Sequence, residues 1–252
     1  DERLLPLFEK GKLDMNKKSP FPFGMIEGMM PMYPRIAFMG WMFLLISFLV
    51  GLLSLSPAWG TFLSDAKAVR EGAAVGSAFV QANASIHVTE AWLPQFKFFG
   101  LGLGLMAITM ALGTIAMKLR AMGEVITSHI PEGQRPAMPA PPKVVRVFQL
   151  STLMGVMILM IALIIGIVLA TGVVPSYWRH SIMNELNPAA SGSALLAELG
   201  VVSSFATWLN PLRMLGMAFL FTSIILALKV IIGTLQLQAG LLSNFYQQAS
   251  GN

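Results

Sequence analysis

The chain contains no cysteine. That absence removes disulfides, thiolate metal centres, cysteine nucleophiles, iron–sulfur ligation and thioether haem attachment from its own repertoire. Charge is scarce too: Asp, Glu, Lys and Arg make up 12% of 252 residues, against 55% hydrophobic residues and a mean hydropathy of +0.69. This balance lies outside that of soluble domains and places the chain among membrane proteins. Histidine is rarer still. His87, His129 and His180 all fall outside the long apolar runs, so a haem held by two histidines within the membrane is not expected of this chain. Also missing are a serine–histidine–acid arrangement, paired catalytic carboxylates and a phosphate-binding loop. Gly100, Gly102 and Gly104 lie inside an apolar run with no preceding strand, which favours close helix contact over nucleotide binding. An enzyme working alone is not expected.

The net charge of +5 sits beside hydrophobic runs and forms no groove-like patch interleaved with aromatics, which argues against a nucleic-acid partner. The first 35 residues are of mixed charge and carry Pro20, Pro22, Pro31 and Pro34. They have no short apolar core before a small-residue cleavage site, so no signal peptide is expected.

What the chain does have is length of apolar sequence. A bilayer core of about 30 Å takes roughly 20 apolar residues as helix. Four stretches reach that length: about 37–55, 98–117, 147–171 and 214–237. The fold class expected is therefore all-α and integral to the membrane, with four transmembrane helices. The fourth stretch contains Lys229, placed toward its exit end, where the aliphatic stem can carry the ammonium to the interface.

Basic residues mark the cytoplasmic side. Arg3, Lys10, Lys12, Lys17, Lys18 and Arg35 precede the first span, and Lys118, Arg120, Arg135, Lys143 and Arg146 lie between the second and third. The opposite connections hold fewer, which places both termini in the cytoplasm of a bacterial-type inner (plasma) membrane.

The chain also repeats itself. Trp92-Leu93-Pro94-Gln95-Phe96-Lys97-Phe98-Phe99-Gly100 aligns without a gap on Trp208-Leu209-Asn210-Pro211-Leu212-Arg213-Met214-Leu215-Gly216, and Ile108, Ala111, Leu112, Ile115 and Leu119 fall on Ile224, Ala227, Leu228, Ile231 and Leu235. Pro57-Ala58-Trp59 resembles Pro175-Ser176-Tyr177-Trp178. This predicts two tandem helical hairpins in parallel duplication. Residues 1–35 form a cytoplasmic segment, 36–130 the first hairpin, 131–143 a proline-rich linker and 144–252 the second hairpin. The two exterior connections are too long for simple turns. The apolar spacing of Val69, Val75, Phe79 and Val80, and of Leu195, Leu196, Leu199, Val202 and Phe205, predicts a helix over 62–90 and another over 191–208, both lying at the exterior interface.

Candidates for chemistry are few. His87 precedes the second span and His180 follows the third, with Glu90 and Glu185 close downstream. These four are the candidate metal ligands, suited to zinc or copper, and the alternative is interfacial hydrogen bonding. Met25, Met29, Met30 and Met32 suit Cu(I) by softness, and suit apolar docking equally well. Trp59, Trp92, Trp178 and Trp208 read as an aromatic belt. Asn83-Ala84-Ser85 is a formal glycosylation sequon. Three functions follow as expectations. The first is a non-catalytic membrane subunit that anchors or completes a larger complex, such as a redox or metal-dependent oxidase assembly. The second is a small-solute transporter or channel module working as an oligomer. The third is a membrane metalloprotein with the exterior His and carboxylate site. The partners expected are the lipid bilayer and other membrane subunits; the cofactor is left open.

Overall fold

The structure, a computed structural model, describes residues 30–128, 144–187 and 193–250. Met25, Met29, His129 and the proline-rich linker lie outside the described residues. Among those described there is no strand, and four helical stretches are long and apolar enough to cross a membrane: Met30–Phe62, Ala78–Val125, Val144–Trp178 and Ala194–Gly240.

The first begins with a single 3-10 turn, Met30–Met32, and continues as α1 (Tyr33–Val50) with Pro34 in its first turn, where a missing N–H costs nothing. A π-helical turn, Gly51–Leu55, carries it into α2 (Ser56–Phe62). The wide turn ends just before Pro57, which cannot donate to the preceding turn. A short α3 (Lys67–Glu71) and Gly76, at φ 84°, lead into α4 (Ala78–Ser128). Then come α5 (Val144–Thr171), α6 (Val173–Trp178), α7 (Ile182–Leu186) and α8 (Ser193–Ser250).

At 1.5 Å per residue α4 is about 76 Å long and α8 about 87 Å, more than twice the thickness of a bilayer core. Of the helix expected over 62–90, the part from Ala78 is the leading portion of α4, with α3 and a turn before it, and the helix expected over 191–208 is described from Ser193 as the leading portion of α8. Between Ala78 and Phe99 the only helix breaker is Pro94, and it lies inside α4 without ending it, as Pro211 lies inside α8. Gln95 Nε2 donates to Ala91 O at 2.6 Å across the turn that contains Pro94.

Close crossings are set by glycine. A β-carbon on Gly40 of α1 would lie 2.7 Å from Gly100 O of α4, and one on Gly155 of α5 would lie 2.9 Å from Gly216 O of α8. Small residues let the backbones approach where lipid gives no hydrophobic drive. Ile36 packs with Ala107 and Met110, and Phe43 stacks on Phe96, so α1 runs antiparallel to α4. Phe148 packs with Ala227, and Leu169 with Leu209, so α5 runs antiparallel to α8. On its other side α4 packs against both α5 and α8. Leu159 and Leu220 fill this three-helix centre beside Gly102. Met30 inserts into an apolar cluster with Phe148 and Ala227 and is 2% exposed, so it serves as packing there.

Candidate ligand cavity at one end of the bundle

The local helix period brings the polar residues of two helices onto facing stripes. On α4, His87, Glu90, Pro94 and Gln95 recur at spacings that share one face, and on α8 so do Phe205, Leu209, Asn210 and Arg213. Between them lies a cavity of about 290 Å³. Its third wall comes from Leu169 of α5 and from Val174 and Trp178 of α6. The bend that swings α6 over the cavity is at Gly172 (φ −108°, ψ −99°). α5 reaches the α4 wall because residue 166 is glycine: a β-carbon there would lie 2.7 Å from Gln95 Cγ and 3.1 Å from Ala91 O.

At the outer end, the His87 ring stacks on Trp178 with centroids 3.6 Å apart, and its Nδ1 lies 3.4 Å from Glu90 Oε2. At the inner end are Gln95 and Arg213. Gln95 is 4% exposed and its Oε1 has no partner. Arg213 donates from Nη2 to Asn210 Oδ1 at 2.9 Å and lies over the Phe98 ring at 5.0 Å, while its buried Nε has no partner. Gln95 and Arg213 thus line the cavity, each with one buried polar atom that has no protein partner, among largely apolar walls, the usual composition of a small-molecule site. It holds no nucleophile and base pair that would support covalent chemistry. Its inner end is closed by Ala162, Leu169 and Leu209, and beyond them by Leu159, Met217 and Leu220.

Of the four residues read as candidate metal ligands, His87 and Glu90 lie beside each other, and His180 and Glu185 have hydrogen-bond partners of their own. His180 Nδ1 lies 3.0 Å from Tyr177 O. Glu185 faces α4, where Asn83 Nδ2 donates to its Oε2 at 2.9 Å, and Tyr177 Oη donates to its backbone O at 3.2 Å. Ser181 accepts from Asn184 N and caps α7, the turn that carries Glu185. Burial raises the Glu185 carboxyl to about 8, with the Asn83 hydrogen bond opposing, so at neutral pH the group is mostly protonated. No cluster of three or more His, Cys, Asp or Glu suited to a metal occurs among the described residues. Asn83, 5% exposed and bonded to Glu185, is no accessible acceptor for a glycan.

Sequence reasoning used Gln95 and Arg213 only as markers of the repeat and of topology. The signal was available: a polar amide beside a helix-internal proline, and a cation in the corresponding frame of the second copy, both at the mouth of a span. Comparison with protein families, with curated proteins and with solved structures finds no match to this chain.

Proposed function

We propose that the chain is a non-catalytic integral membrane subunit that anchors or completes a larger complex, such as a redox or metal-dependent oxidase assembly. In this reading its four spans form two tandem helical hairpins in a bacterial-type inner membrane, with both termini cytoplasmic. The observation that carries it is the way the hydroxyls of the spans are spent. Transport pathways are marked by polar groups facing an open interior, and here the hydroxyls of the spans are largely spent on backbone or on each other, while Gln149 Nε2, Gln95 Oε1 and Arg213 Nε are buried without a partner. Ser47, Thr114 and Thr152 donate to the carbonyls one turn back, Ser151 donates to Phe219 O, and Thr109 meets Ser223 at 3.2 Å. Leu159 and Leu220, 1% and 0% exposed, fill the space beneath the cavity.

The duplication gains support from the crossings. Gly40-x-Met42-x-Leu44-x-Ile46 and Gly51 match Gly155-x-Met157-x-Leu159-x-Ile161 and Gly166 at equal spacing. The paired glycines Gly100 and Gly216, already aligned by the Trp-Leu frame, are the residues that Gly40 and Gly155 meet.

Purification in mild detergent, with native mass and metal content read on one sample, tests the reading. Stoichiometric partner subunits, with no metal bound by this chain alone, are expected. Isolation as a homo-oligomer that passes a solute in vesicles would overturn it in favour of transport. Copper, zinc or iron lost on replacing His87 or His180 would overturn it in favour of the exterior metal site.

A further inference from the structure

The cavity of His87, Gln95, Trp178 and Arg213 has an asymmetry of hydrogen-bonding capacity that the subunit reading leaves unused. Gln95 is nearly fully buried, and its amide is oriented by donation from Nε2 to Ala91 O, which leaves Oε1 as an acceptor aimed at no protein donor. Arg213 is held from two sides, by Asn210 and by the face of Phe98, with Nε unspent. Among the described residues no carboxylate lies within ion-pair distance of it. A guanidinium so placed binds an oxyanion, for which its planar fork is suited. An unpaired buried acceptor favours a ligand that brings an N–H or O–H, because the alternative is to leave a desolvated oxygen unsatisfied. The rest of the lining is largely apolar, with Glu90 beside His87 at the end away from Arg213.

We propose that this cavity seats the head of an amphiphile in which an oxyanion stands beside a hydrogen-bond donor. The oxyanion sits on Arg213, the donor on Gln95 Oε1, and the hydrocarbon lies along Val174, Val202 and Phe205. Phospholipid heads of the ethanolamine and glycerol type have this chemistry, and choline heads, which have the phosphate without the donor, lack it. A free hydroxy fatty acid has it too. The site discriminates by the donor and not by the charge alone.

The test uses the full chain purified in mild detergent, stripped of lipid, and offered phosphatidylethanolamine, phosphatidylglycerol and phosphatidylcholine with equal acyl chains. Retained lipid is counted by native mass spectrometry. A parallel sample receives 3-hydroxydecanoate with no phospholipid. One copy of the ethanolamine or glycerol lipid is expected, with phosphatidylcholine retained roughly fivefold less or weaker still, the scale of one lost hydrogen bond. Arg213→Met is expected to lose all of them, and Gln95→Met to bring the donor-bearing lipids down to the choline level. Retention of phospholipid names the membrane as the source, whereas retention of 3-hydroxydecanoate alone names a free amphiphile. Equal retention of phosphatidylcholine by the unaltered chain would overturn the proposal without any variant. So would binding undiminished in Arg213→Met, or binding of neither probe.

Discussion

Glu185 is a carboxyl spent on architecture. It is 8% exposed on α7, its Oε2 accepts from Asn83 of α4, and its Oε1 has no partner. Because burial raises its folded pKa from the ordinary carboxylate range to about 8, the folded protein holds a proton that the unfolded chain releases. Stability is then fully present below the unfolded value and falls as pH rises toward the folded one. The thermal midpoint of the detergent-solubilised protein is expected to fall between about pH 5 and pH 8, by the same linkage. Glu185→Gln, which keeps the acceptor for Asn83 and cannot ionise, is expected to flatten that decline. An unchanged slope in the variant would show that another group sets it. Read in one dimension, His180 and Glu185 look like neighbours of His87 and Glu90, since all four flank spans on one side. With the cap at Ser181 and the single turn of α7 between them, His180 lies against Tyr177 O and Glu185 takes Asn83 as its partner, and residue spacing near a span does not encode those partners.

Glycine decides how the long helices meet, and not every glycine takes part. Gly155 has Leu220 Cγ at 2.7 Å and Gly216 O at 2.9 Å from the place a β-carbon would occupy, whereas Gly104, in the same small-residue stripe as Gly100 and Gly102, has nothing within 4 Å. Gly155→Ala is therefore expected to destabilise the fold by about 1–3 kcal/mol, as overpacking does. Gly104→Ala should stay within roughly 0.5 kcal/mol of the unaltered protein, as surface changes do. Reversible unfolding in mixed micelles would check both, and equal effects would remove the crossings as the source of stability. The spans themselves were legible because about 20 apolar residues cannot be hidden in any other fold of this size. Their true ends were not. Pro94 and Pro211 lie inside α4 and α8 without ending them, so the part of the helix expected over 62–90 that begins at Ala78, and the helix expected over 191–208 from Ser193 on, continue into the spans, while Lys67–Glu71 stands apart as α3.

Across the whole molecule α4 is the shared partner: α1 packs along one of its sides, and α5 and α8 along the other. The buried residues of α1 reduce to the narrow seam of Ile36, Gly40 and Ser47, while Phe38, Trp41, Phe48 and Leu53 face outward, Trp41 being 74% exposed. Lys229 likewise lies on an exposed face of α8, in keeping with a stem that carries its charge along the helix surface to the interface. Lys229→Met is expected to leave native mass and partner stoichiometry unchanged. Loss of assembly in that variant would place the lysine in a protein contact. Whether lipid or a partner covers these outward faces is invisible in composition, because both environments select the same apolar residues.

The unbroken length of α4 and α8 has a mechanical consequence. A rod of about 80 Å pivoting near the middle of a bilayer acts as a lever with arms protruding from both surfaces. A tilt of about 10° displaces each tip by about 7 Å, in opposite senses, by the geometry of a rigid helix of that rise. Whatever grips one arm therefore moves the other without any loop having to relay the motion.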